Sequence, residues 1–282
     1  MVSRIEQSGT TLITGASSGI GLALAHEFAR HGHSLVLTAH NPLRLDEVRL
    51  ELDRLYSARA LTVAADLRDP EGVLKIQQAL EAQDLYVDNL VNNAGLGFKG
   101  KFWELPAEDA ISVARVNNEA VLRLTHLLLP GMVRRGHGRV LNVVSVAAFE
   151  PGPLMAVYHA SKAFLLSFSE ALADELAGSG VTVTALCPGA TNTDFFPKAG
   201  MTNTRLYRRA RLAAPRSVAK LGYNACLRGE RLVVDGASNK ALVFARRVMT
   251  LDAQAAMNRR SYEDADPNDH EQHSRQFTGP VR

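Results

Sequence analysis

The sequence predicts a doubly wound α/β domain with about seven parallel strands, and three observations carry that prediction. Short apolar runs alternate with longer stretches of helical period, the pattern of βα units around a parallel sheet. The first run, Thr10-Thr11-Leu12-Ile13-Thr14, breaks at once into glycines and then into a helical pattern. The chain has no internal repeat and no linker rich in Pro, Gly or Ser, and its 282 residues at 46% hydrophobic can bury one large core.

Taken in order, strands are expected near 10–14, 34–39, 60–65, 87–91, 138–144, 181–186 and 231–235. Helices fall between them near 20–31, 43–57, 70–82, 107–134, 158–178 and 215–228, so ligands are expected outside the carboxyl ends of the strands. A stretch without clear period, 194–214, is longer than ordinary connections, a length found in active-site lids and other functional loops. Its Phe195, Phe196, Met201, Leu206 and Tyr207 either line an apolar pocket or pack the loop down. A single domain over 1–260 is expected to end in an extension helix over 237–251, amphipathic and basic on one side. Such a helix either packs on its own domain or rests on a membrane surface. From Ser261 to Arg282 the chain is polar and reads as a disordered tail.

Composition excludes several classes of function. The net charge of +3 comes from 32 basic and 29 acidic residues, too even a balance for a nucleic-acid footprint. The basic clusters Arg205–Arg211 and Arg246-Arg247 are expected on solvated faces. Two cysteines, Cys187 and Cys226, rule out a disulfide framework and suit a reducing compartment. The polar start lacks a signal peptide's apolar core, and no run of 18 or more apolar residues occurs, so a cytoplasmic protein is expected. The histidines nowhere take a zinc-site spacing, and no metal is expected.

The chemistry-bearing stretches are few. Glycines 15, 19 and 21 allow the backbone to approach a pyrophosphate, which the N–H groups and dipole of the following helix would receive. Tyr158 and Lys162, four residues apart, share one face of a helix. A cation there favours the phenolate and is expected to pull the tyrosine pKa down from about 10, toward a value useful in acid–base catalysis. Ser145 ends a strand thirteen residues before Tyr158. A nucleophilic serine is disfavoured, because the chain has no G-x-S-x-G elbow.

Together, Thr14-Gly15-Ala16-Ser17-Ser18-Gly19-Ile20-Gly21, Asn92-Asn93-Ala94-Gly95, Ser145, Tyr158 and Lys162 resemble the classical short-chain dehydrogenases/reductases, in the family's order over 14–193. The resemblance implies a Rossmann-type sheet and hydride transfer between a nicotinamide cofactor and a ketone or secondary alcohol. It implies Tyr158 as general acid or base, Lys162 as its electrostatic partner and holder of the nicotinamide ribose, and Ser145 bonding the substrate oxygen. Asn117, chosen over Asn118 by register, would open a helix to seat a water. The cofactor would lie along Gly15, Ser17, Ser18, Gly19, Ile20 and Gly21, then Asn93, Ala94 and Gly95, and the loop Pro188-Gly189. Thr193 matches the position that reaches the carboxamide, with Thr191 as rival. Asp66-Leu67 matches the adenine-contacting pair, with a helix N-cap as the other reading of Asp66.

The second strand ends in Ala39-His40-Asn41, without the carboxylate that an NAD enzyme usually places there, so NADP is favoured over NAD, with His40 and Arg44 as the groups to meet the 2′-phosphate. His159, next to Tyr158, diverges from it on the helix and is expected to be a bystander. The family often pairs its helices across two-fold axes, which makes a homodimer or homotetramer the expectation. The C-terminal extension resembles longer members that act on lipid-like or bulky ketones. A rival reading is a non-catalytic NADP-binding regulator or peripheral membrane protein.

Overall fold

The computed structural model describes residues 9–265. Its strands are β1 (Thr10–Thr14), β2 (Leu35–Ala39), β3 (Ala60–Ala64), β4 (Val87–Asn92), β5 (Gly138–Val143), β6 (Val181–Cys187) and β7 (Leu232–Val234). They form one sheet in the order β3-β2-β1-β4-β5-β6-β7, every neighbouring pair parallel. The helices are α1 (Gly19–Arg30), α2 (Pro42–Tyr56), α3 (Pro70–Ala82), α4 (Ala107–Ala114), α5 (Ala120–Arg135), α6 (Ala156–Glu175), α7 (Phe195–Lys198), α8 (Arg205–Arg209), α9 (Pro215–Arg228), α10 (Ala237–Arg246) and α11 (Leu251–Tyr262). This is the expected Rossmann-type architecture.

Alternation along each strand builds two cores. Ile13 joins Leu24, Phe28 and Val218 on the face covered by α1 and α9, whereas Leu12 joins Ile76, Leu124 and Leu172 on the opposite face. Each such side chain, fully buried, stabilises the fold by about 1.5–3 kcal/mol. Prolines open α2, α3 and α9, and Asn41 and Asp69 cap the first two of these by accepting from Arg44 and Glu71 main-chain nitrogens. From β1 the chain builds outward through β2 and β3, then returns after α3 to β4 on the other side of β1. That reversal opens a crevice at the carboxyl ends of β1 and β4.

The helix expected over 107–134 is continuous in path and opens at Asn117, where Arg115–Glu119 form a wider π-type turn between α4 and α5. Two expectations need correction. The extension holds two helices, since the one expected over 237–251 ends at Arg246 and α11 follows. Ser261–Ala265, expected to be disordered, are ordered. Ser261 and Tyr262 finish α11, and beyond them Arg205 N donates to Glu263 O (3.0 Å) and Ala265 N to Asn203 O (2.9 Å). The polar start, 1–8, and the remaining tail, 266–282, lie outside the described residues.

Candidate active site

The glycine turn is built against the end of β4. Thr14 Oγ1 accepts from the main-chain nitrogens of Asn93 and Ala94, each at 3.0 Å, and Asn93 Nδ2 donates to Thr14 O at 2.8 Å. Gly15 has φ +65°, and a Cβ on Gly21 would stand 2.2 Å from Gly15 O, so neither position tolerates a side chain. Ser18 caps α1 with extended backbone and no side-chain hydrogen bond. The first N–H groups of the helix, with its dipole, therefore form a seat that suits a diphosphate. Ser17 and Ile20 flank this seat half-buried, and Thr193 approaches Gly19 from the far side, its Cγ2 3.1 Å from where a Cβ on that glycine would stand. Thr191 instead turns into its own loop, donating to Gly189 O at 3.0 Å.

At the other end of the crevice, His40 is exposed at the end of β2 with no carboxylate beside it in sequence. Asp66 does not cap α3, a role taken by Asp69. Its carboxylate accepts from Arg68 N at 2.9 Å and from the Arg68 guanidinium at 2.6 Å, and these contacts hold it below the usual aspartate range. Leu67 is partly buried against the core.

The polar cluster gathers where β5, α6 and the π-type turn meet. Ser145 is extended (φ 176°) at the end of β5, and its Oγ accepts from Ala147 N at 3.1 Å. Tyr158, in the first turn of α6, lies close enough for the Ser145 hydroxyl to draw the pKa of its phenol downward. Lys162, one turn on, is buried, donates from Nζ to Val143 O at 2.9 Å and lies 5.8 Å from the centre of the Tyr158 ring. Burial pushes the Tyr158 phenol up to about 12 against the pull of the Ser145 hydroxyl, and lowers Lys162 to about 8. This reverses the expected downward shift. Tyr158 is half-buried, and at this distance the desolvated ammonium does not offset the cost of a phenolate packed largely among apolar groups.

Asn117 lies in the π-type turn and is buried. Its Oδ1 accepts from Leu96 N (2.8 Å), and its Nδ2 donates to Leu96 O (3.0 Å) and to Ser161 Oγ (2.9 Å). The amide is thus fully committed to bracing the segment after Gly95, and sequence reasoning missed both partners. Gly95 completes the group, since a Cβ there would lie 3.6 Å from both Asn117 Oδ1 and Lys162 Nζ.

Two loops and an apolar cleft border this cluster. Pro188 O accepts from Val146 N at 3.0 Å, which ties the loops after β5 and β6 together. Within the lid, Phe196 and Met201 pack inward with Met155 and Tyr262, whereas the Phe195 ring stands 5.0 Å from that of Tyr158. All five lid side chains belong to this packed cluster, with Phe195, Leu206 and Tyr207 partly buried at its edge, so packing of the loop is the reading that the structure favours. Beside Tyr158 lies a narrow cleft, open to solvent and lined by Phe98, Phe102, Leu105, Val113 and Val157 among others.

Two side chains expected to be incidental are not. His159 is buried, with Nδ1 2.9 Å from Glu150 O and Nε2 2.7 Å from the Tyr262 hydroxyl. Arg246, expected on a solvated face, is 5% exposed and ion-paired with Glu150. Cys187 and Cys226 are buried, as a small apolar residue would be. Among the described residues there is no cluster of metal-ligating side chains, and no helix is long and apolar enough to cross a membrane.

Comparison with known proteins agrees with this geometry. A family model described as short chain dehydrogenase matches residues 9–203. The chain is 33% identical over 215 residues to the ketoacyl reductase HetN of Nostoc sp., covering 74% of this chain and 72% of that protein. The matched segment spans less than two thirds of the length of several other relatives. A short-chain dehydrogenase from Sphingobium yanoikuyae, solved in complex with NADPH, superposes with a TM-score of 0.76 at 33% identity, covering 85% of this chain and 94% of that one. A short chain dehydrogenase/reductase from Burkholderia phymatum, solved with NAD, gives 0.77 at 27% identity, with coverages of 93% and 98%. The strand order, the glycine turn and the match over 9–203 together place the chain in the short-chain dehydrogenase family of oxidoreductases.

Proposed function

We propose that the protein is an NADP-dependent oxidoreductase acting on an apolar or bulky ketone or the corresponding secondary alcohol, with Tyr158 as general acid and base. The observation that carries this reading is the convergence of Ser145, Tyr158 and Lys162 where β5 meets α6, beside a glycine turn shaped for a diphosphate. The bound cofactor would supply or accept the hydride at the substrate carbon. Gly15, Gly19 and Gly21 with the start of α1 would hold its diphosphate, and Asn93, Ala94, Gly95, Pro188, Gly189 and Thr193 would flank its path to Lys162. NADP is preferred to NAD because the end of β2 offers the exposed His40 and no carboxylate to repel a 2′-phosphate.

The chain's own groups then position and move one proton. Ser145 donates to the substrate oxygen and fixes it beside the phenol. With its pKa near 12, Tyr158 is protonated at neutral pH, and it gives that proton to the oxygen that develops alkoxide character. The transfer runs downhill, since an alkoxide's conjugate acid has a pKa close to that of water, about 15.7. Oxidation uses the same atoms in reverse. The Lys162 ammonium stabilises the phenolate left behind. Asn117 contributes by fixing the π-type turn, whose i→i−5 bonding leaves main-chain carbonyl capacity for a water that returns protons to solvent. The apolar lining of the cleft beside Tyr158 favours a substrate with a hydrocarbon or aromatic body.

The test is Tyr158→Phe, followed by nicotinamide absorbance with a panel of ketones and alcohols. Turnover is expected to fall by about 10²–10⁴-fold, while NADPH titrated by its fluorescence still binds. The same titration with NADH ranks the two cofactors. Undiminished turnover in the variant would remove Tyr158 from the mechanism.

A further inference from the structure

We infer that Tyr262, at the end of α11, is a positioning residue that holds Tyr158 in its reactive placement through the intervening His159 ring. The inference rests on the acid–base reading of Tyr158 given above. Glu150 O can only accept, so His159 Nδ1 carries the proton of that 2.9 Å bond. Nε2 is therefore the acceptor, and the Tyr262 hydroxyl donates to it at 2.7 Å. The ring is wedged as well as bonded, because a Cβ on Gly152 would stand 2.0 Å from His159 Cδ2.

Helices α10 and α11 also hold the two residues that precede Gly152. Arg246 of α10 pairs with Glu150 and donates to Asn258 Oδ1 at 3.3 Å, and Asn258 Nδ2 donates to Pro151 O at 2.8 Å. Glu150, Pro151 and Gly152 lie in the connection from Ser145 to α6, so their placement sets the relation between the Ser145 hydroxyl and the Tyr158 phenol. Immediately beyond Tyr262, Glu263 pairs with Arg205 of the lid (3.0 Å) and Asp264 with Lys99 of the loop after Gly95. One short stretch, 262–265, thus ties together three segments that border the substrate cleft. A hydroxyl lost at Tyr262 leaves the buried Nε2 without a donor and the ring bonded on its Nδ1 side alone.

The experiment compares Tyr262→Phe, Asn258→Ala and Tyr158→Phe with the full-length protein. Tyr262→Phe is expected to lower kcat about tenfold, as a displacement well under 1 Å would. NADPH should still bind with unchanged stoichiometry and affinity, and amide hydrogen exchange should quicken over 150–160 but not in β1, β4 or β5. A loss of folded protein would instead lower binding capacity and kcat together. Asn258→Ala, which releases Pro151 by a separate bond, should move exchange and kcat in the same direction, and it decides the matter if Tyr262→Phe does not fold. Tyr262→Phe placed on Tyr158→Phe should show the same quickened exchange without any turnover. If the wild type reduces a ketone and Tyr158→Phe abolishes this, yet Tyr262→Phe and Asn258→Ala keep full kcat and full protection, the positioning role is overturned alone. If no ketone or alcohol is turned over by the wild type, the acid–base reading falls and the positioning role falls with it, leaving only a structural tie for exchange to report.

Discussion

Among single residues, Lys162 carries the sharpest pH prediction. Burial lowers its pKa from 10.5 to about 8, so the ammonium is present below that value and lost above it. Turnover is therefore expected to decline as pH rises through about 8, in a kcat/KM profile measured from pH 6 to 10. Stability should move the opposite way. Between the folded and unfolded pKa values the unfolded chain binds more protons, so the contribution of Lys162 to stability improves as pH climbs from about 8 toward 10.5. A turnover profile flat to pH 10 would remove the requirement for this cation. Tyr158 and Lys162 were legible from their spacing, but the sign of the tyrosine shift was not. A sequence gives the distance along a helix between two groups, whereas desolvation depends on everything packed around them.

The decisive elements are the turn between β1 and α1 and the π-type turn at Arg115–Glu119. A side chain at Gly21 has no room, since its Cβ would fall 2.2 Å from Gly15 O and 2.3 Å from Asn93 Nδ2. Gly21→Ala is expected to weaken NADPH binding by more than about tenfold, through backbone displacement of the kind that overpacking causes, and fluorescence titration would measure it. Binding at wild-type affinity would mean that the diphosphate seat lies elsewhere. This element could be read directly, because glycine spacing is itself a statement about backbone geometry. The π-type turn was legible only in part. An asparagine within an apolar helical pattern signalled a local opening at Asn117, but its clamp onto Leu96 lies 21 residues back and follows from how β4 and α5 are juxtaposed. The wider turn also explains why one long helix was expected, since five residues of π-type bonding preserve the helical appearance of the pattern on both sides.

At the scale of the whole molecule, α5 and α6 leave apolar side chains uncovered: Leu122, and Phe164 stacked on Phe168. We expect this face to pair with a second copy. Light scattering after size exclusion should give a dimer or tetramer, and Phe164→Glu should shift it toward monomer without moving the Ser145–Tyr158–Lys162 cluster. A monomeric wild type would leave the face unassigned.

Sequence alone determined the sheet, the glycine turn and the order of Ser145, Tyr158 and Lys162, because periodicity, glycine placement and short spacings are local and each has one dominant physical reading. Only the tertiary structure decided what the C-terminal extension does. His159 and Tyr262 are 103 residues apart, and Glu150 and Arg246 are separated by almost as many, so no local pattern could pair them. Arg246 and Arg247 read as one basic patch. On a helix neighbouring residues point about 100° apart, and packing turned the first inward to a buried carboxylate and left the second in water.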